Sequence, residues 1–164
     1  MAKVVQIPTI NDSPDDFERL FSIWNQANDY FEEVRFDFSR CHFLRPNAVA
    51  FLGGLARLIV SRQGTAVFDW DTLHDSAIKM NLRQNGFAGM FGQPYSGWTG
   101  HSIPYREDGF QDVNAIMDYL TDSWLGRGWV QVSTRLRDAI VGRMWEIYNN
   151  AFEHSGSEIG VRPS

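Results

Sequence analysis

Apolar residues in the first half of the chain switch repeatedly between the two spacings that secondary structure imposes. Residues 34–38 (Val-Arg-Phe-Asp-Phe) alternate apolar and polar side chains, which is typical of a strand. Residues 14–30 instead place apolar side chains three and four positions apart, as on one face of a helix. Further strands are predicted at residues 4–8 and 65–70, and a second helix from Pro46. The order β-α-β-α-β predicts an α/β fold, with a sheet covered by helices.

Local signals predict where the first two helices begin and what they contact. Ser13 before Pro14 predicts the first helix start, because serine caps helices and proline suits the first turn. Gly53 and Gly54 lie inside the second helix, where glycine lowers stability. A close approach to the underlying sheet is the reason we expect for them. The buried face of the first helix is predicted to be Phe17, Leu20, Phe21, Trp24 and Ala27.

A segment rich in Gly, Pro, Ser and aromatic residues divides the chain. It covers residues 86–109 and follows a shorter helix that we expect Asp71 or Thr72 to cap. A loop of this length is uncommon and often functional, and the plainer alternative is a connector between two subdomains. We therefore predict a first domain at residues 1–85, an aromatic and glycine-rich connector at 86–109, and a helical segment at 110–164.

The C-terminal part is predicted to be mainly helical. Residues 112–125 have an amphipathic pattern, and residues 132–154 form the longest predicted helix, capped by Ser133. One stripe of this last helix is expected to pack on a sheet, and its members are Leu136, Ile140, Met144, Ile147 and Ala151.

Composition excludes several classes of protein. No apolar run reaches the roughly 18 residues of a spanning helix, and the first residues lack a signal-peptide pattern. We therefore expect a cytoplasmic protein without membrane association. A net charge of −5 and an isoelectric point near 5.3 argue against nucleic acid as a partner. Cys41 is the single cysteine, and since it and His42 point apart on an extended segment, a buried structural thiol is favoured over a nucleophile–base pair.

The second strand and helix resemble the central motif of STAS domains, the fold of bacterial anti-sigma-factor antagonists. The matching stretch runs from Val34 through Arg45-Pro46-Asn47-Ala48 into Phe51-Leu52. The resemblance extends over residues 1–85 and implies a STAS-like sheet with helices. The family's Asp-Ser-Ser-Gly stretch falls on residues 45–48, so the serine that a partner kinase phosphorylates is Pro46 here. Proline has no hydroxyl, so the family's phosphoryl transfer cannot occur at this position.

The start of the second helix has two readings. The free N–H groups of a helix start attract anions, and Arg45 adds positive charge. Plain helix capping is the alternative.

The last helix carries the most specific pattern in the chain. Glu146, Asn150 and His154 follow one another at intervals of four, so they form one stripe on a helix. With Ala151 they fill the pattern Glu-x-x-x-Asn-Ala-x-x-His, which resembles the N box of the GHKL ATPase superfamily. That superfamily includes histidine kinases and the anti-sigma-factor kinases.

The resemblance to the N box implies a role for each residue of the stripe. Asn150 would be the ligand of Mg²⁺ and contribute to nucleotide binding, since Mg²⁺ prefers oxygen ligands. Glu146 would be the catalytic general base. His154 would bind near the phosphate end of the nucleotide. An amphipathic helix with polar residues along its edge is the alternative interpretation.

The superfamily also needs an Asp-x-Gly-x-Gly turn and later glycine-rich segments, and the sequence has none of them. We therefore expect the chain to be part of a longer protein that binds ATP and Mg²⁺, with a truncated gene product as the alternative, and we expect no cofactor for this chain alone. The predicted function is regulatory signalling, and whether the parent is an ATPase or kinase stays open.

The expected partner is another protein or the parent chain's own ATPase domain. A homodimer would cover a helix face that lacks its sheet. The alternative function is a non-catalytic interaction or dimerisation module of the partner-switching type.

Overall fold

The computed structural model describes residues 2–94, 102–128 and 131–154. The chain divides into two compact units, unit 1 (Met1–Tyr105) and unit 2 (Arg106–Ser164). Its described part mixes helices with a parallel sheet, so the predicted α/β class is confirmed. Residues 95–101 of the predicted connector and residues 155–164 of the predicted C-terminal segment lie outside the described residues.

The described residues of unit 1 form three parallel strands in the order β1-β2-β3. β1 (Lys3–Gln6) leads through α1 (Pro14–Ala27) to β2 (Glu33–Asp37), and α2 (Pro46–Ser61) leads to β3 (Thr65–Asp69). Both crossovers step in the same direction along the sheet. Because such crossovers are right-handed, α1 and α2 cover the same face.

The two faces of the sheet differ sharply. The register places Val5, Phe36 and Phe68 side by side, and all three are buried against the helices. On the opposite face the guanidinium of Arg35 lies 3.6 Å from a Glu33 oxygen and 3.4 Å from an Asp69 oxygen. Alternation with period two therefore separates a packed face from a polar one.

The predicted start of α1 is confirmed, and its predicted buried face is only partly correct. Ser13 accepts from the backbone N–H of Asp16, whose carboxylate accepts from the Ser13 N–H. This is a capping box, although the returning residue is aspartate. The buried apolar residues of α1 are Leu20, Ile23 and Ala27. Phe17, Phe21 and Trp24 are exposed, because α2 and the sheet contact a narrower band of the helix than its apolar pattern offers.

Beyond β3 the chain forms short helices around an aromatic cluster. Asp75 caps α3 (Ser76–Gln84) by accepting from two backbone N–H groups. The predicted cap at Asp71 or Thr72 was wrong because a short 3₁₀ turn, Trp70–Thr72, comes first. A short helix, α4 (Phe87–Met90), follows inside the segment that we predicted to be a loop. Its Phe87 is buried. The domain boundaries that we predicted at residues 85 and 110 remain predictions.

One of the paired glycines of α2 makes room for an aromatic side chain rather than for the sheet. A Cβ atom at Gly53 would collide with the Tyr105 hydroxyl and lie 2.9 Å from Cζ of that ring. The Tyr105 ring also contacts Phe87 edge to face at 4.9 Å. Gly54 has open space around it. Only Gly53 is therefore required by packing.

Unit 2 contains an irregular helical segment followed by one long helix. α5 (Val113–Asp118) continues as a π-helical stretch, Tyr119–Trp124, and a 3₁₀ turn, Leu125–Arg127. The uniform helix predicted at residues 112–125 is therefore divided into three geometries. α6 (Thr134–His154) begins beside Ser133, whose hydroxyl accepts from the Leu136 N–H at 3.3 Å. None of the described helices is both long and apolar enough to cross a membrane.

The two glycines of α2 provide a matched pair of substitutions. We expect Gly53→Ala to lower the free energy of unfolding, because overpacking costs about 1–3 kcal/mol against a gain of roughly 1 kcal/mol in helix propensity. Gly54→Ala should raise it by about 0.5–1 kcal/mol. Urea denaturation followed by tryptophan fluorescence measures both. Equal stabilisation by the two substitutions would contradict the contact between Gly53 and Tyr105.

Candidate functional site

The three predicted site residues lie together on α6. Glu146, Asn150 and His154 are all exposed and follow one another along one side of the helix. The spacing that suggested a stripe is therefore present as a continuous surface. No other described element is needed to bring these side chains together.

The buried side of α6 is not the stripe predicted from the sequence. Val141 and Phe152 are buried, while the predicted members Leu136 and Ile147 are exposed. α5 decides this orientation, since its Ile116 forms a core with Val141. Other side chains of α6 that pack around this core are Met144, Trp145 and Tyr148. Of the predicted stripe, Met144 alone belongs to it, because α6 meets a helix here rather than a sheet.

Contacts at one end of α5 hold α6 in this orientation. The backbone N–H of Asp112 donates to the Tyr148 hydroxyl at 3.2 Å. The rings of Tyr148 and Phe152 lie 4.8 Å apart on the same side of α6. Gln111 donates through its amide to Asn149, which in turn donates to Glu153 at 2.7 Å. The Asn149 side chain therefore has a structural role, since its amide oxygen and its amide nitrogen are both hydrogen-bonded.

Asn150 differs from its neighbour in having no such contact. Its side chain is exposed and makes no hydrogen bond to any residue that the structure describes. One turn earlier, the Glu146 carboxylate accepts from Arg143 at 2.8 Å. Both partners are exposed, so solvent screens the pair and the carboxylate stays accessible. His154 lies 3.8 Å from a Glu153 oxygen, an ion pair only when the imidazole is protonated.

The donor set of the stripe is compatible with Mg²⁺ only in part. An amide oxygen and a carboxylate are suitable ligands, and Mg²⁺ usually takes one or two protein ligands with phosphate oxygens and water. Among the described residues no group of three or more His, Cys, Asp and Glu side chains could hold a metal ion. Asn150 and Glu146 therefore supply donor atoms of a suitable kind, and their roles in metal binding and catalysis remain predictions.

The start of α2 matches the sequence pattern without showing an anion site. Arg45 precedes the helix and its Nε atom lies 3.3 Å from an Asp12 oxygen. Pro46 opens the helix, and the Asn47 amide oxygen accepts from the Ala48 N–H at 2.8 Å. The positive charge beside this helix start is thus already compensated by a carboxylate.

Cys41 is the buried structural thiol that the sequence predicted. Only 2% of Cys41 is exposed, and its Sγ lies 3.7 Å from the Phe43 carbonyl oxygen. Burial raises the pKa of the thiol to about 11. The neighbouring His42 is exposed, and its backbone N–H donates to the Thr9 hydroxyl. The two side chains do not form a nucleophile–base pair.

A groove beside β3 was not anticipated from the sequence. It has a volume of about 450 Å³ and lies between α2, β3 and the residues around Met90 and Phe91. Its lining is apolar except for Arg57 and includes the ring of Trp70. The aromatic and glycine-rich composition after residue 86 was the available signal, but composition does not show which side such a segment packs against.

Comparison of the chain with protein-family models, with curated proteins and with solved structures gives no match. Any role for the stripe on α6 or for the groove in unit 1 must therefore be argued from the chemistry of its own residues.

The raised pKa of Cys41 predicts a slow reaction with thiol reagents. At pH 8 a thiol of pKa about 11 is roughly 0.1% thiolate, whereas an exposed cysteine is about a quarter thiolate. We expect Ellman's reagent to react at least about 100 times more slowly with the native chain than with the chain in guanidinium. The native rate should rise about tenfold from pH 8 to pH 9, because the thiolate fraction rises tenfold. A native rate close to the denatured rate would contradict the burial of this side chain.

Proposed function

We propose that the chain is a regulatory signalling protein of bacterial type, in which a STAS-like module precedes the start of a GHKL-type ATP-binding domain. The observation that supports this most directly is the stripe on α6. Glu146, Asn150 and His154 keep the N-box spacing on an exposed surface, away from the face buried against α5. In this proposal ATP and Mg²⁺ bind in a longer parent chain.

The chemistry of the stripe gives each residue a definite task in that parent chain. The side-chain oxygen of Asn150 is free to enter the coordination shell of a cation. Mg²⁺, when bound, would offset the negative charge of the nucleotide phosphates. Glu146 lies one turn before Asn150, so its carboxylate can orient a water or hydroxyl or accept a proton from it. His154 at the end of α6 can donate to a phosphate oxygen.

The STAS-like part of the proposal rests on the β-α-β-α-β order of unit 1. α1 and α2 cover one face of its parallel sheet. The sequence of the strand and loop before α2 resembles the family's central motif, apart from residues 45–48. Pro46 stands where the family has its phosphorylated serine. Control in this protein therefore acts through binding and not through phosphoryl transfer at the start of α2. The proposed location is the cytoplasm, and the proposed partner is a protein.

Nucleotide binding by the full product of the gene tests the proposal. We expect calorimetry to show Mg²⁺-ATP binding that Asn150→Ala weakens at least about tenfold, since a cation ligand is lost. The 164-residue chain alone should give no heat. Asn149→Ala is the matched control: it removes the same amide one position away, from the side that contacts Gln111, and should change affinity less than about threefold.

Three outcomes would count against the proposal. One is a reading frame that ends at Ser164. Another is a full product that does not bind the nucleotide. The third is equal binding by the two asparagine variants.

A second candidate function has an observation of its own. Phe17, Phe21 and Trp24 form an exposed aromatic stripe along α1, at positions three and four apart. A surface of this kind is typical of protein contacts. It favours a non-catalytic interaction or dimerisation module of the partner-switching type.

Self-association of the 164-residue chain distinguishes this second function. If it applies, sedimentation equilibrium should show a dimer that Phe21→Glu dissociates, because a charge would be buried in an aromatic contact. Phe110→Glu is the control, since Phe110 is as exposed as Phe21 (72% against 66%) and belongs to unit 2. A monomer at all concentrations, or a dimer that withstands Phe21→Glu, would exclude dimerisation through α1.

A further inference from the structure

The outer edge of β3 has unpaired backbone groups. β3 pairs with β2 on one side, and no strand in the described part of the chain pairs with its other side. The Thr65 N–H donates to the Glu32 carbonyl at 2.9 Å, so Thr65 faces β2. Because backbone groups alternate along a parallel strand, the N–H and C=O groups of Ala66 and Phe68 are directed to the outer edge.

β3 itself contains no lysine, no proline and no bulge. Natural edge strands are commonly blocked by lysine, by proline or by a bulge. β3 has the sequence Thr-Ala-Val-Phe-Asp and pairs with β2 in continuous register. Its outer edge therefore remains competent to hydrogen-bond with another extended chain.

The apolar groove lies directly beside this edge. Ala66, Val67 and Phe68 of β3 contribute to its lining, so the unpaired backbone and the groove are continuous. The far wall is held in place by two contacts. The Trp70 indole N–H donates to the Phe91 carbonyl at 2.9 Å, and the Arg57 guanidinium lies 4.8 Å above the Phe91 ring.

We propose that the outer edge of β3 and its groove bind an extended, apolar segment of a partner protein, which joins the sheet as a further strand. The backbone of such a segment satisfies the groups of Ala66 and Phe68. Its side chains alternate, so those on one face enter the groove while those on the other remain outside. A volume of about 450 Å³ accommodates a few apolar side chains.

A second copy of this chain is a poorer occupant. Pairing of two β3 edges about a two-fold axis would bring the same patch of each copy together. The groove is concave, so two copies would place one cavity against the other and leave both unfilled. Each copy also carries a net charge of −5, which disfavours self-association.

The inference goes beyond the proposed function and does not depend on nucleotide binding. Every residue that carries it belongs to unit 1, whereas the proposed ATP-binding stripe belongs to unit 2. Loss of Mg²⁺-ATP binding on Asn150→Ala and loss of peptide binding are therefore separate results.

The probe for this site is a phage library of eight-residue peptides selected on the immobilised 164-residue chain. We expect enriched peptides with apolar residues at alternate positions. The most enriched one is then synthesised with a fluorescent label, and its affinity is measured by anisotropy. N-methylation of one alternate set of its amides should weaken binding at least about tenfold, and methylation of the other set much less, because only one set faces β3.

Two matched pairs of variants locate the binding site. Met90→Glu and Val60→Glu place a charge at the exposed rim of the groove and should weaken binding at least about tenfold. Met80→Glu and Val4→Glu are the controls, because these residues are equally exposed elsewhere in unit 1 (Met80 56% against Met90 50%, Val4 56% against Val60 54%). The controls should leave the affinity within about twofold.

Several results would overturn the proposal. These are a selection without alternating apolar peptides, an affinity that all four variants leave unchanged, and equal effects of the two methylation patterns. A dimer that Met90→Glu dissociates and Met80→Glu does not would assign the edge to a second copy instead.

Discussion

The ring of Phe68 lies where the sheet, α4 and the end of unit 1 meet. The centroid of this ring lies 5.0 Å from that of Phe36 in the central strand, 5.4 Å from that of Phe87 in α4 and 4.6 Å from that of Phe91. Phe87 in turn contacts the Tyr105 ring that occupies the space above Gly53. One buried aromatic side chain thus connects the sheet, the wall of the groove and the last residue of unit 1. Aromatic residues bury about 150–250 Å² each, so this cluster contributes a large share of the apolar burial in unit 1.

This cluster also explains why the groove and the free edge occur together. Phe68 points towards the helices, whereas its backbone faces away from β2, so the same residue lines the groove and presents unpaired hydrogen-bonding groups. The edge is free because β3 is the last strand in the order of the described sheet. A partner strand added there would lengthen the sheet at the edge opposite β1.

Unit 2 is held together by packing between helical segments and not by a sheet. Its core is small and consists of Ile116, Leu120 and Val141, and the aromatic side of α6 completes it. This arrangement buries one face of a long helix and leaves the polar stripe exposed. The proposed nucleotide ligands therefore stand on a rigid element but need further residues to become a pocket.

Sequence alone determined the elements that depend on local patterns. Alternation placed the central strand, and short apolar runs placed the other two. Ser13 and Pro14 placed the start of α1, and helical spacing placed the site residues on one side of α6. The burial of Cys41 was also predictable, because adjacent side chains on an extended segment point apart and the apolar one of Cys41 and His42 is the one that is buried.

Tertiary packing decided what local patterns leave open. Leu136 and Ile147 look like core residues on a helical wheel but are exposed, because α5 meets the opposite side of α6. From the sequence, Gly53 was expected to allow a close approach to the sheet. In the structure it makes room for the side chain of Tyr105, a residue far along the chain. In both cases periodicity shows that a face can be buried. Only the position of a distant element decides which face is buried.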